Sequence, residues 1–220
     1  MLLQQELDRF SAEMIQQVPS EILAAFGNAT QELVALNIPQ FSKKKGKKAP
    51  NFALPNIDGQ IVNLYDALKK GPVILCFYRG VWCPYCNLEL AAWQKTLPQI
   101  QKLGAQLIAV SAQKPEFSKE MAEKHGVSFE VLSDQGNLVS EQYGIVFTLA
   151  ESMHPVYTAM GIDIPTFNGD DSFRLPLPAT YVIQQDGIVA YSFVDADYSR
   201  RAEPAEVLSV LEIIDSAALS

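Results

Sequence analysis

The sequence predicts an α/β fold in which a central mixed sheet is flanked by helices and preceded by an N-terminal helical extension. Three observations carry this reading. The apolar runs PVILCFY (72–78) and AQLIAVSA (105–112) are long enough for buried strands and too short for helices, and they flank a long helical pattern between residues 84 and 103. The stretch ATYVIQQDGIVAYSFV (179–194) holds two strand-like runs joined around Asp186 and Gly187, a strong hairpin signal. Residues 1–38 space their apolar positions by four and three, the mark of amphipathic helices.

Taken in order, Leu3, Leu7, Phe10 and Met14 define a first helix, and Ile22, Phe26, Ala29, Leu33 and Leu36 a second. Pro19 and Ser20 separate them, with Ser20 expected as the second helix's N-cap. Neither helix is stable alone, so the pair must lie on the main domain or on a partner subunit. The segment SKKKGKKAP then places five lysines around Gly46. It reads first as a solvated linker and second as an anion or acidic-partner patch. The boundary falls near residue 48, giving a helical extension and basic linker at 1–48 and a main domain at 49–220.

Within that domain, the strand at 72–78, the helix from Pro84 to Leu103 and the strand at 105–112 form a βαβ unit, which winds right-handed in a mostly parallel sheet. The helix is expected to bury Leu88, Ala92, Leu97, Ile100 and Leu103. A helix at 116–125 and a short strand at 128–132 follow. Residues 145–177 carry a weak pattern, with a helix expected at 150–160 and a Gly/Asp-rich loop at 168–171, and read as an insertion. The terminal hairpin closes the sheet with an antiparallel pair. A last helix starts near Pro204 and runs through Val207, Leu211 and Ile214.

Composition narrows the function. Hydrophobic residues make up 48% and charged ones 19%, which excludes a disordered or low-complexity chain. Seventeen basic against 25 acidic residues leave a net charge of -8, so no nucleic-acid partner is expected. No apolar stretch approaches the roughly 20 residues of a membrane span, and the opening MLLQQELDRF lacks a basic leader, so the expectation is a cytoplasmic protein with no membrane contact. Three cysteines cannot all pair within one chain, and in that compartment a disulfide is catalytic before it is structural.

The informative stretch is CFYRGVWCPYCNLEL, where a buried strand ends at Tyr78 and Cys83 and Cys86 bracket the start of a helix. A CxxC at a strand-to-helix junction in a βαβ context is a redox signature. Cys83 falls near the N-cap and Pro84 at the first helical position, so unpaired N–H groups and the positive end of the macrodipole face the sulfur. Both favour the thiolate, the species that attacks disulfides and peroxides. Cys86 shares that first turn and can close a ring with Cys83. The competing readings are inert core cysteines and a zinc half-site. Zinc requires four ligands, and only Cys76, His125 and His154 remain, so no metal and no cofactor are expected. The helix start should lie at the rim of the sheet, open to solvent, which disfavours inert cysteines. Cys76, mid-strand, reads as core. His125 and His154 belong to a helix end and the insertion. In LPLPATYVI, Pro178 precedes a strand, a place where a cis peptide is plausible, and its loop is expected to face the CxxC turn.

Together these segments resemble the thioredoxin superfamily, and within it the peroxiredoxin-like (AhpC/TSA, redoxin) branch. APNFALPNIDGQIVNL is similar to the family's opening segment, FYRGVWCPYC to its active-site turn, PATYVIQQDGIVAY to its closing hairpin, and DYSRRAEP at 197–204 to its tail. The resemblance implies a thioredoxin-like fold and two registers. The peroxiredoxin pattern PxxxTxxC sets Arg79 at the proline, Cys83 at the threonine and Cys86 at the attacking cysteine, whereas thioredoxins and glutaredoxins attack with the first cysteine of the motif, here Cys83. Both sulfurs stay open as the nucleophile. Where similar peroxiredoxins carry an arginine before the late strand, this chain has Pro178, leaving Arg79, Arg174 and Arg201 to supply the charge.

The leading expectation is a thiol-dependent peroxidase. It would reduce hydrogen peroxide or organic hydroperoxides through Cys83 and Cys86, with Trp82 and Tyr85 walling the site and a thioredoxin- or glutaredoxin-type reductant recycling the pair. One alternative is a thioredoxin- or glutaredoxin-like protein disulfide oxidoreductase, favoured by Pro178 and by CPYC. Another is a redox-sensing interaction protein that uses the helix pair and lysine run. A homodimer is compatible with each.

Overall fold

A computed structural model describes residues 2–218. Along the chain come α1 (Leu3–Gln17), α2 (Ser20–Ala35), the short antiparallel pair β1 (Ala53–Pro55) and β2 (Ile61–Asn63), α3 (Leu64–Leu68), β3 (Val73–Phe77) and α4 (Pro84–Lys102). Next are β4 (Gln106–Ser111), α5 (Pro115–His125), β5 (Glu130–Ser133), α6 (Leu138–Gln142), β6 (Val146–Thr148), α7 (His154–Ala159), α8 (Ile164–Asn168) and β7 (Arg174–Pro176). The chain closes with β8 (Ala179–Ile183), β9 (Val189–Val194) and α9 (Pro204–Ala218).

The main sheet has five strands in the order β5-β4-β3-β8-β9. β3, β4 and β5 run parallel, as the crossover helices require, and β8 and β9 are antiparallel. The expected α/β architecture with its mixed sheet and terminal hairpin is thus present. β3 is central and wholly buried, so both faces of its apolar run are used. Val73, Leu75 and Phe77 enter one core with Tyr143 and Tyr181, while Ile74, Cys76 and Tyr78 enter the other with Leu90 and Trp93. Trp93 is fully buried, and truncating such a side chain to Ala costs about 3–5 kcal/mol.

Several expectations need correction. The inward face of α4 is Cys86, Glu89, Leu90, Trp93, Leu97 and Ile100; Leu88 and Ala92 lie only partly covered, because the apolar stripe begins at a cysteine and includes a carboxylate. Ser20 is the first helical residue of α2 and Pro19 occupies its N-cap, the fixed proline φ of -53° holding the chain extended one residue earlier. The lysine segment exposes its side chains from Lys44 to Lys48, yet its backbone is not a free linker. Gly46 N–H donates to Val189 O (2.8 Å), Val189 N–H to Lys47 O (2.9 Å) and Ala49 N–H to Gly187 O (2.9 Å), which ties it to the terminal hairpin. No peptide bond among the described residues is cis, so the bond preceding Pro178 is trans.

The two N-terminal helices lie on the domain. The inward stripe of α1 packs on α4, and its first N–H groups, at Leu3 and Gln4, donate to the Glu203 carboxylate at 3.0 and 2.7 Å. A distant acid thereby satisfies donors that the helix start leaves open and complements its dipole. α2 packs Ala25, Phe26 and Ala29 against a third cluster of Leu149, Met153, Tyr157, Ile164 and Leu175, which the 145–177 segment folds into. Among the described residues, no helix is long and apolar enough to cross a membrane.

Candidate active site

β3 delivers the chain to a turn held from several sides. Tyr78 N–H donates to Val110 O (3.0 Å), Val81 N–H to the side chain of Gln113 (2.9 Å), Cys83 N–H to Gly80 O (3.1 Å), and Asn87 Nδ2 to Val81 O (2.8 Å). Gly80, at φ +155°, is required: a Cβ there would stand 2.4 Å from Trp82 Nε1. α4 then opens with Cys83 as N-cap in extended geometry and Pro84 at the first helical position, and Cys86 lies in the first turn.

The expectation of an open site is overturned. Cys83 is 2% exposed and Cys86 0%, because the extension and the 145–177 segment fold over the helix start. Tyr85 receives Ser11 at 2.9 Å, hydroxyl to hydroxyl, and the edge of Phe10 at a centroid distance of 5.2 Å. What remains is a cavity of about 120 Å³ lined by Cys83, Arg79, Trp82, Pro84, Tyr85, Tyr157 and Tyr198, with Met14, Leu23 and Phe26 from the two N-terminal helices. Cys83 lines it and Cys86 does not.

Charge decides which sulfur is ionised. Arg79 and Arg201 are both 4% exposed, and among the described residues the only buried carboxylate beside them is Glu89, at 0%. Arg201 Nε holds Glu89 Oε2 at 2.5 Å, and Arg201 Nη2 reaches Cys86 Sγ at 3.4 Å. Arg79 makes no ion pair with a carboxylate among the described residues; its Nη2 donates to Tyr157 Oη, and its faces are covered by Trp82 (4.9 Å) and Tyr198 (4.6 Å). A buried charge without a counter-charge costs several kcal/mol, and two guanidinium groups against one carboxylate leave at least one positive charge unmatched. A Cys83 thiolate matches it. Burial alone would push the Cys83 thiol up, but hydrogen bonding from Cys86 and the charges of Arg79 and Arg201 outweigh it and bring the group down to about 6. Burial, and then the neighbouring Cys83, push Cys86 well up. The surroundings thus drive the two sulfurs apart, Cys83 toward the thiolate and Cys86 toward the thiol. Burial raises Glu89 to about 7 against the opposing pull of Arg201.

Of the other residues singled out in the sequence, Pro178 is buried where β8 begins opposite Phe77, at the same end of the sheet as the turn, but it is not among the residues lining the Cys83 cavity. Arg174 lies away from the cavity in an ion pair with Glu141 (3.0 Å), and His154 stacks on Phe173 (3.5 Å). His125 ends α5. Cys76 is core, with its thiol 3.6 Å from Glu89 Oε1. No group of three His, Cys, Asp or Glu among the described residues could hold a metal ion.

Glu89, Tyr157 and Tyr198 were not singled out from the sequence. Glu89 was findable: it falls three residues after Cys86 on the apolar stripe of α4, where a carboxylate demands a partner. Tyr157 comes from the weakly patterned segment and carries no such signal.

Chemically, the site sets one sulfur in a small cavity beside a guanidinium, with a second sulfur in the same helical turn, an arrangement suited to nucleophilic attack with stabilisation of developing negative charge. Residues 45–192 match the model of the AhpC/TSA family. A putative chloroplastic peroxiredoxin Q of Oryza sativa subsp. indica is 28% identical over 168 residues, covering 76% of this chain and 66% of that protein. Peroxiredoxin Bcp of Escherichia coli is 34% identical over 102 residues, covering 46% and 65%. The chain thus spans just under two thirds of the length of these relatives. Among solved structures, peroxidoxin BcpB of Mycobacterium tuberculosis superposes with a TM-score of 0.62 at 22% identity, covering 78% of this chain and 97% of that one, which shows the shared fold.

Proposed function

The chain belongs to the AhpC/TSA family, and from that membership we propose that it is a thiol peroxidase in which Cys83 attacks the peroxide and Cys86 resolves the product. The observation that carries this assignment of roles is that Cys83 alone of the two sulfurs lines the cavity, beside the carboxylate-free guanidinium of Arg79. The Cys83 thiolate attacks the distal oxygen of ROOH. The O–O bond breaks, sulfur takes the oxygen as a sulfenic acid, and the departing alkoxide takes a proton from water to leave as ROH. The Cys86 thiol then condenses with the sulfenic acid, releasing water and forming the disulfide. A dithiol protein of the thioredoxin or glutaredoxin type returns two electrons by exchange. Arg79 stabilises charge on the peroxide oxygens, and Trp82 and Tyr85 keep bulk water out.

The burial of the sulfurs favours this reading over a protein disulfide oxidoreductase, since about 120 Å³ admits a peroxide and not a folded protein. The reductant then requires the cover formed by α1 and α2 to shift after oxidation. The test is peroxide consumption in a thioredoxin-coupled assay, with mass spectrometry of C86S after one equivalent of peroxide. The expected result is turnover in the wild type and a sulfenic acid trapped on Cys83. Consumption no greater than that of the C83S/C86S double variant would overturn the activity. Full turnover by C83S would overturn the assignment of roles.

A further inference from the structure

A second cavity, of about 210 Å³, also borders Arg79. It is larger than the roughly 150 Å³ apolar cavity that suffices to hold benzene in an engineered protein core. Its walls are apolar, with Phe26 and Leu33 from α2 and Leu149 and Met153 from the 145–177 segment, and it shares Arg79 and Tyr157 with the cavity of Cys83. Its one acid, Glu32, is exposed at the surface. Arg79 is the one strong polar anchor between the two spaces. Its Nε is buried with no hydrogen-bond partner, and its Nη2 is spent on a neutral hydroxyl.

The charged and titratable groups around Arg79 are Cys83, Cys86, Tyr157 and Tyr198, with the Arg201–Glu89 pair behind Cys86. In the reduced protein the Cys83 thiolate balances Arg79. The reaction proposed above removes that balance: thiolate, peroxide and a proton give sulfenic acid and alcohol, and sulfenic acid plus the Cys86 thiol give disulfide and water. The site gains one unit of positive charge, and Arg201 keeps its own carboxylate. Arg79 is then a buried guanidinium without an anion, opening onto an apolar cavity.

We propose that the oxidised protein binds an apolar monocarboxylate, with the carboxylate on Arg79 and the hydrocarbon chain in the 210 Å³ cavity. This rests on the reading of Cys83 as the oxidised thiolate. By linkage, such a ligand stabilises the disulfide over the dithiol and slows its reduction, so the site couples the redox cycle to the supply of aliphatic acids.

The experiment titrates octanoate, octan-1-ol and acetate into reduced wild type, peroxide-oxidised wild type, C83S and R79Q, following tryptophan fluorescence because Trp82 stacks on Arg79. The thiol state is verified by mass. Octanoate should bind oxidised protein and C83S at least tenfold more tightly than reduced protein. Octan-1-ol should not distinguish the forms, acetate should bind weakly, and R79Q should lose the preference for octanoate. Equal octanoate affinity in reduced wild type and C83S overturns the proposal, as does an equal preference from octan-1-ol, which would mean a wider cavity in place of an unmatched charge. If peroxide leaves the thiols reduced, the peroxidase reading fails, and the C83S comparison still decides the anion site. That comparison also stands if R79Q does not fold.

Discussion

Arg201 bridges Glu89 and Cys86: its Nε lies 2.5 Å from Glu89 Oε2 and its Nη2 3.4 Å from Cys86 Sγ, with all three side chains buried. The same guanidinium donates from Nη1 to the carbonyls of Tyr198 and Arg200, so it orients the 198–201 loop as well as the sulfur.

Removing one partner of a buried ion pair strands the other. Arg201→Met should therefore destabilise the protein by about 3–5 kcal/mol near neutral pH, read from urea unfolding under reducing conditions. Glu89, already raised to about 7 by burial, should rise further without its cation. The deficit should consequently shrink as the pH falls and Glu89 takes up a proton. A deficit that is constant with pH would contradict the pairing.

The reactivity of Cys83 should follow its thiolate. Alkylation by iodoacetamide should rise with pH with a midpoint near 6, well below that of an ordinary thiol at 9.0. Stability carries the same signature. The folded-state value lies below the unfolded one, so the contribution of Cys83 is full above pH 9.0 and is lost as the pH falls through about 6. The stability difference between reduced wild type and C83S should accordingly narrow across that window, measured as unfolding midpoints at a series of pH values.

Arg79→Gln removes the charge facing Cys83 and keeps an amide that can bond Tyr157. The midpoint of alkylation should move up by about 1–3 pH units, and peroxide turnover at neutral pH should fall at least tenfold. An unchanged midpoint would assign the thiolate to the Cys86 hydrogen bonds and Arg201 without Arg79.

Glu203→Gln should loosen α1, whose first N–H groups the carboxylate holds. Loss of a charged cap costs about 1 kcal/mol. Hydrogen exchange should accelerate in α1, and a bulky maleimide should label Cys83 faster than in the wild type, with small-reagent alkylation altered less. Equal labelling would mean that α1 does not limit access.

The β3–α4–β4 unit was legible because local patterns suffice for it. An unbroken apolar run too short for a helix marks Val73–Phe77, buried on both faces, and a proline at the first helical position fixes where Cys83 falls. Two features were not legible. Arg201 and Glu89 are 112 residues apart, and their meeting depends on how α9 is led back over α4. The closure over Cys83 depends on Phe26 and Phe10 meeting Tyr157 and Tyr85, a tertiary event that amphipathic spacing leaves undetermined, since the same stripes would serve a subunit contact equally well. The rotated face of α4 has a simpler origin. Cys86 and Trp93 are the seam, and counting aliphatic residues alone selects its neighbour.

The loop between β9 and α9 carries an aromatic wall at Tyr198, the guanidinium that meets the Cys86 sulfur at Arg201, and the clasp of the covering helix at Glu203. These duties fall on a few consecutive positions, so a single inserted or deleted residue there would misplace all of them together. For anyone building chimaeras, that loop and the first N-terminal helix form one inheritance unit: transplanting either without the other should yield a protein that folds its sheet and leaves its sulfurs uncovered.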